Sequence, residues 1–308
     1  MLYNSIVLNG VGLFFVLTFF DNWRFKFMFE NLIYPSLLTG AMMALLVVGR
    51  FAFGLVASVG SSKYSLTVET VKNDNPAVGI RLAAFLFALV FSFLGMMHPS
   101  GVGFEADLNN IGMYGVLSIG ALLISAIVND KLILYGFDNN AEVVGEKNIA
   151  VALVEGCTYL ATAFIMRGAL SGWEGGFWVA IMWFVIGQAF LVALGYLYRL
   201  VVKGVFEGLD THNVASALSF GGFLLAGGIA LGAAVSGPVS SLKADMMGAG
   251  LYISVWLALV VVMRYVADLL LVPTAKISDE IMIDRNVGIG ALDASVMLAT
   301  TLIFVSVW

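Results

Sequence analysis

One pattern is written four times in this chain. Asn75, Asn148, Asn213 and Asn286 each open an apolar run, with Ala or Gly two and four residues later: Ala77/Gly79, Ala150/Ala152, Ala215/Ala217 and Gly288/Gly290. A Glu stands six residues before each Asn, at Glu69, Glu142, Glu207 and Glu280. Asn75 and Asn213 are 138 positions apart, as are Asn148 and Asn286, so the chain reads as a tandem duplication in which each copy holds two similar quarters. The same offset pairs Gly49 with Gly187, Gly112 with Gly250, Tyr114 with Tyr252 and Asp130 with Asp268. The quarters differ in one respect. Seven residues after the Asn come Leu82, Glu155, Phe220 and Asp293, so an acid appears only in the second quarter of each copy.

The setting of these repeats follows from composition. Of 308 residues, 61% are hydrophobic and 11% charged, with a mean hydropathy of +0.99; soluble domains carry roughly 25% charged residues. The chain is therefore read as a polytopic membrane protein whose main partner is the lipid bilayer. A net charge of −5 argues against nucleic acid as a partner. The single Cys157 cannot form an internal disulfide and reads as a packed thiol. No metal cluster, phosphate loop or activated nucleophile is written in the sequence, so neither an enzyme nor a cofactor or metal site is expected.

Eight segments approach the ~20 apolar residues that cross a bilayer. They lie near Pro35–Ala57, Ala77–Met97, Leu108–Val128, Asn148–Ala169, Phe177–Leu197, Asn213–Val235, Met246–Val266 and Asn286–Val307. Long continuous runs favour helices over a barrel, because a helix satisfies its own backbone in lipid. The expected fold is an all-α bundle of eight spans, arranged as tandem four-helix repeats over residues 35–172 and 173–308. Residues 1–34 form an added segment. Its uncharged stretch Tyr3–Phe20 and its aromatic and basic stretch Trp23–Phe29 favour an interfacial or re-entrant leader over a ninth span. The four connections before the Asn motifs carry eight Lys or Arg, against Lys243 alone in the three opposite ones. The motif ends are therefore expected in the cytoplasm and the C-terminus outside. Because a copy contains four spans, both copies share one orientation, and any internal axis should run along the membrane normal.

An Asn at the start of a span is suited to capping the first backbone amides, and the Ala or Gly pair beyond it allows close helix approach. The same carboxamides could instead line a vestibule for an ion or water. The Glu residues fall in short amphipathic connections, where they would hydrogen-bond the cap or present a docking surface. Glu155 and Asp293 are the foremost site candidates, since seven residues at 1.5 Å rise place each about 10 Å inside the helix start. Ionised groups at that depth need a partner. Arg81, Arg50 and Arg264 supply bases in the same membrane half, with Asp130 and Asp268 nearer the helix ends. Two readings stay open: a buried ion-pair network that fixes helix register, or a proton or ion relay. Arg167, near the far end of its helix, is expected to snorkel.

The pattern of Glu, five residues, Asn, small-x-small and a glycine-dotted run ending in Ser-Gly resembles the YjfL-like family, also called domain of unknown function 350. Glu142 to Ala152 with Ser171-Gly172, and Glu207 to Ala217 with Ser236-Gly237, carry the resemblance. It implies a four-span unit of about half this length, here fused twice, in a bacterial inner membrane and in an envelope-stress or small-solute context. It implies no catalytic residue. Pro76 departs from Ile149, Val214 and Val287 at the same position, which a first helical turn tolerates. The favoured function at this point is a channel- or transporter-like module in which Glu155 and Asp293 face a permeating ion, proton or small cation. The alternative is a non-conducting scaffold or accessory subunit that recruits protein partners or further copies of itself.

Overall fold

A computed structural model describes residues 32–58, 63–94, 104–136, 138–171, 176–237 and 241–307. The leader expected over residues 1–34 lies outside these, apart from its last three residues. Among the described residues the long elements are eight helices: α1 (Tyr34–Ala57), α2 (Pro76–Phe93), α3 (Phe104–Val128), α4 (Ile149–Leu170), α5 (Gly176–Val201), α6 (Val214–Ala234), α7 (Leu242–Leu270) and α8 (Val287–Val307). All eight are long and apolar enough to cross a membrane, and they fall on the eight expected segments. The fold is a polytopic helical bundle.

Each quarter repeats one course: an odd-numbered helix, a short helix at the motif end, the Asn, and an even-numbered helix. The short helices are Val68–Lys72, Ala141–Gly145, Val205–Asp210 and Ile277–Met282, the first two wound as wide π turns. In the second quarter of each copy the odd helix hands over through the same device: Asp130 accepts the backbone N–H of Asn139, and Asp268 that of Ile277, 138 positions on. Both acids thus cap the start of a short helix.

The turn from each short helix into its span is left-handed. Asp74, Lys147, His212 and Arg285, the residues just before the four Asn, have φ of 46°, 53°, 61° and 53°. Such a conformation costs a non-glycine residue roughly 1–2 kcal/mol. It lets the Asn backbone N–H reach back to a carbonyl of the short helix, that of Glu69, Glu142, Gly208 or Glu280, so that a C-cap runs directly into an N-cap.

The even helices form a row, α2–α4–α6–α8, with the odd helices packed alongside. The two middle members are the most enclosed, and α4 and α6 approach backbone to backbone. A methyl on Gly228 would lie 2.4 Å from the Ala161 Cα, and one on Gly232 would lie 2.4 Å from the Phe164 carbonyl oxygen. The even helices thus lie side by side in chain order. Helices α2 and α8 are the ends of the row, each packed along a single even neighbour.

Candidate functional site

The four Asn residues build the motif end. Asn75 and Asn148 accept from the amides two and three residues on, Asn213 and Asn286 from the third. Their Nδ2 atoms point the other way. Asn75 donates to the Val143 carbonyl (3.0 Å), Asn148 to Leu209 (2.8 Å) and Asn213 to Ile281 (2.8 Å), each in the short helix of the next quarter. This explains the residue type: an Asp could cap the helix but has no donor to bridge the quarters. Glu69, Glu142 and Glu280 accept from the Asn of their own quarter, whereas Glu207 is exposed and its quarter closes through the Gly208 carbonyl.

Inside the bundle, Glu155 and Asp293 belong to two separate clusters. Arg81 on α2 binds Glu155 on α4 with two donors, at 2.5 and 2.9 Å, and both side chains are 3% exposed. Its remaining donors reach the Asn139 carbonyl, Asn140 Oδ1 and the Tyr64 hydroxyl, so all five are used. Asn139 Nδ2 adds a donor to Glu155 (3.1 Å). Burial raises the Tyr64 hydroxyl above its ordinary pKa, against the opposing pull of Arg81. A cavity of about 110 Å³ adjoins the pair, lined among others by Asp130, Asn140, Tyr159 and Ala126. Among the described residues, none hydrogen-bonds the buried Asn139 Oδ1.

The second cluster uses the same carboxylate position with a different cation. Arg264 on α7 donates to Asp293 at 2.9 Å, Ser219 on α6 donates to the other carboxylate oxygen, and Tyr198 shares a hydrogen bond with Ser219. Asp293 is fully buried, and Arg264 is 20% exposed, stacked over the Tyr198 ring.

The remaining candidates lie apart from both acids. Arg50 donates to Thr67 and lines an open groove beside Tyr64 and Lys63. Asp268 is occupied as a helix cap, and Arg167 is exposed over the Phe91 ring. The sequence reading missed Tyr64, Asn139, Asn140, Tyr198 and Ser219. Ser219 was within reach, because it stands 138 positions after Arg81. Among the described residues no group of three or more His, Cys, Asp or Glu is placed to hold a metal ion.

Chemically, each cluster is a charge-assisted lock between neighbouring helices, and the first also offers a small chamber with one polar and one apolar side, the latter including Phe53, Leu123 and Ile127. Comparison with curated proteins and with solved structures finds no match. The family model described as Domain of Unknown Function (DUF350) matches residues 27–170 and again residues 172–307. The chain therefore belongs to that family, as two tandem copies.

Proposed function

We propose that this protein is a non-conducting membrane scaffold whose motif end, in the cytoplasm of an inner membrane, recruits protein partners. The observation that carries this reading is that both buried carboxylates are already bound by arginine, in separate clusters, on either side of the closely packed α4 and α6. A relay needs groups that exchange partners, and a pore needs room between helices; the Arg81–Glu155 lock has every guanidinium donor committed. The cytoplasmic assignment rests on the eight-to-one excess of Lys and Arg in the motif-end connections. The partner surface is the set of short helices, where Glu207 is exposed and Val71 is 68% exposed. The envelope-stress context implied by the family resemblance is one in which such recruitment is useful.

The test is purified protein in proteoliposomes loaded with pH- and potassium-sensitive dyes. The scaffold reading expects leak no greater than in empty liposomes, and loss of co-purifying partners when the short helices are exchanged. Ion or proton flux that disappears with Glu155→Gln would overturn it. A second reading, a proton or small-cation site of a transporter, is favoured by one observation: the buried Asn139 Oδ1 has no partner among the described residues and belongs to a residue that lines the 110 Å³ cavity beside Glu155. That reading expects flux from the same liposomes.

A further inference from the structure

The joint between quarters is used three times inside the chain, and it has a direction. Each Asn gives its Nδ2 to a short-helix carbonyl of the quarter that follows: Asn75 to Val143, Asn148 to Leu209, Asn213 to Ile281. The row therefore ends with one donor left over and one acceptor unused. Asn286, the last donor, is exposed, and among the described residues its Nδ2 reaches only Glu280 of its own quarter. At the other end, the corresponding carbonyls are those of Thr70 and Val71, and no described carboxamide meets them.

The helices continue the same pattern. Joints alternate in polarity at the position six or seven residues beyond the Asn. The α2/α4 joint has Arg81 with Glu155, the α4/α6 joint has Val154 and Phe220, and the α6/α8 joint has Ser219 with Asp293. The next joint in the series would be apolar, and the residues waiting at those positions are Leu292 on α8 and Leu82 on α2. The outward face of α8 presents Gly288, Ser295 and Ala299, the counterparts of Ala150, Cys157 and Ala161 on α4. In α4, Cys157 and Ala161 are the residues that lie against Gly221 and Gly228 of α6. The outward face of α2 presents Gly79, beside whose Cα there is open space, and the exposed Ala83. Val90 and Leu94 stand where α6 has Gly228 and Gly232, so a joint on α2 closes tightly near the motif end and more widely at the far end.

We propose that a second copy of this chain covers these faces head to tail, with α8 of one copy on α2 of the next and Asn286 donating to the Thr70 or Val71 carbonyl. The pairing is heterologous: each copy offers one donor end and one acceptor end, so a second copy extends the row. It does not depend on whether the protein conducts. One residue sets its strength. Inside the chain, Lys147 donates to the Asn73 carbonyl (2.6 Å) and Arg285 to the Thr211 carbonyl (3.1 Å), each clamping a polar joint. The same position in the first quarter holds Asp74, which would meet Asp284 of the other copy; this leaves the joint between copies reversible.

The experiment uses full-length chains in nanodiscs, with Cys157→Ser to remove the only thiol. One population carries Gly79→Cys and the other Gly288→Cys, and thiols are oxidised with copper phenanthroline. The expected result is a product of twice the chain mass in the mixture and none from either population alone. Products from one population alone would show a face pairing with itself and overturn the head-to-tail joint. A wild-type monomer by mass photometry, with no cross-link in the mixture, would overturn it as well, and would assign the α2 and α8 faces to lipid or to residues 1–31 of the same chain. Two further variants read the joint without thiols. Asp74→Lys is expected to tighten association about two- to five-fold, the scale of an exposed ion pair. Gly79→Leu, where an added Cβ meets open space, is expected to abolish it while leaving thermal unfolding of the chain unchanged; persistence of the pair in Gly79→Leu counts against the proposal.

Discussion

Arg81 and Ser219 are counterparts 138 positions apart, and each hydrogen-bonds the carboxylate on the next even helix, Glu155 and Asp293 respectively. The missing charge at Ser219 is supplied by Arg264, whose own counterpart in the first copy is Ala126, a residue lining the cavity beside Glu155. The two copies thus hold equivalent acids with arginines from non-equivalent helices. Duplicated sequence fixed where the acid must be; it left open which neighbour would neutralise it.

This swap is reversible by design. Arg81→Ser alone leaves Glu155 buried without its cation, a change worth about 3–5 kcal/mol. Adding Ala126→Arg transplants the second copy's arrangement. The single variant should lose most of its thermal stability in detergent and the double variant should recover a large part of it. Failure of Ala126→Arg to restore any stability would show that the cavity cannot accept the guanidinium.

The two acids should respond unequally to neutralisation. Glu155→Gln strands Arg81 in a site that is 3% exposed, whereas Asp293→Asn leaves Arg264 20% exposed and stacked on Tyr198. Arg264 lies six residues before the motif end of α7 and has an open side along which it can snorkel toward that end, whereas the enclosed Arg81 cannot shift. Glu155→Gln is therefore expected to lower the melting temperature more than Asp293→Asn, measured by scanning fluorimetry of both proteins in the same detergent.

The α4/α6 contact is a backbone contact. Gly228→Ala places a methyl 2.4 Å from the Ala161 Cα, where no flexible side chain can yield, so the helices must separate along their length. Overpacking of this kind costs about 1–3 kcal/mol or more. Gly120→Ala, where a methyl meets open space, is the control and should be neutral or slightly stabilising. Equal melting temperatures for the two variants would refute the close approach.

The four Asn residues are not equivalent in energy. Asn148→Ala removes a cap and leaves the Leu209 carbonyl without its bridging donor in a buried site. Asn286→Ala removes a cap at an exposed end. An exposed cap is worth about 1 kcal/mol, and a buried partner stranded beside it adds about 1–3 kcal/mol. Urea or thermal unfolding in mixed micelles should rank Asn148→Ala well below Asn286→Ala in stability.

Periodicity and offset alone determined a good deal here. They located eight apolar spans, the duplication, the capping Asn residues and the depth of Glu155 and Asp293, because each of these is set by spacing along one chain. They did not determine that the even helices form a row. That depends on the Asn carboxamide binding one quarter to the next, and on Gly228 and Gly232 meeting backbone across the α4/α6 joint. Nor did they show that Arg81 serves Glu155 while Arg264 serves Asp293, since ion pairing is decided by which side chains can reach a carboxylate through the packed helices. The left-handed residues before each Asn were hidden for a related reason. Asp, Lys, His and Arg carry no common signal for positive φ, and only the joint between a short helix and its span holds them there.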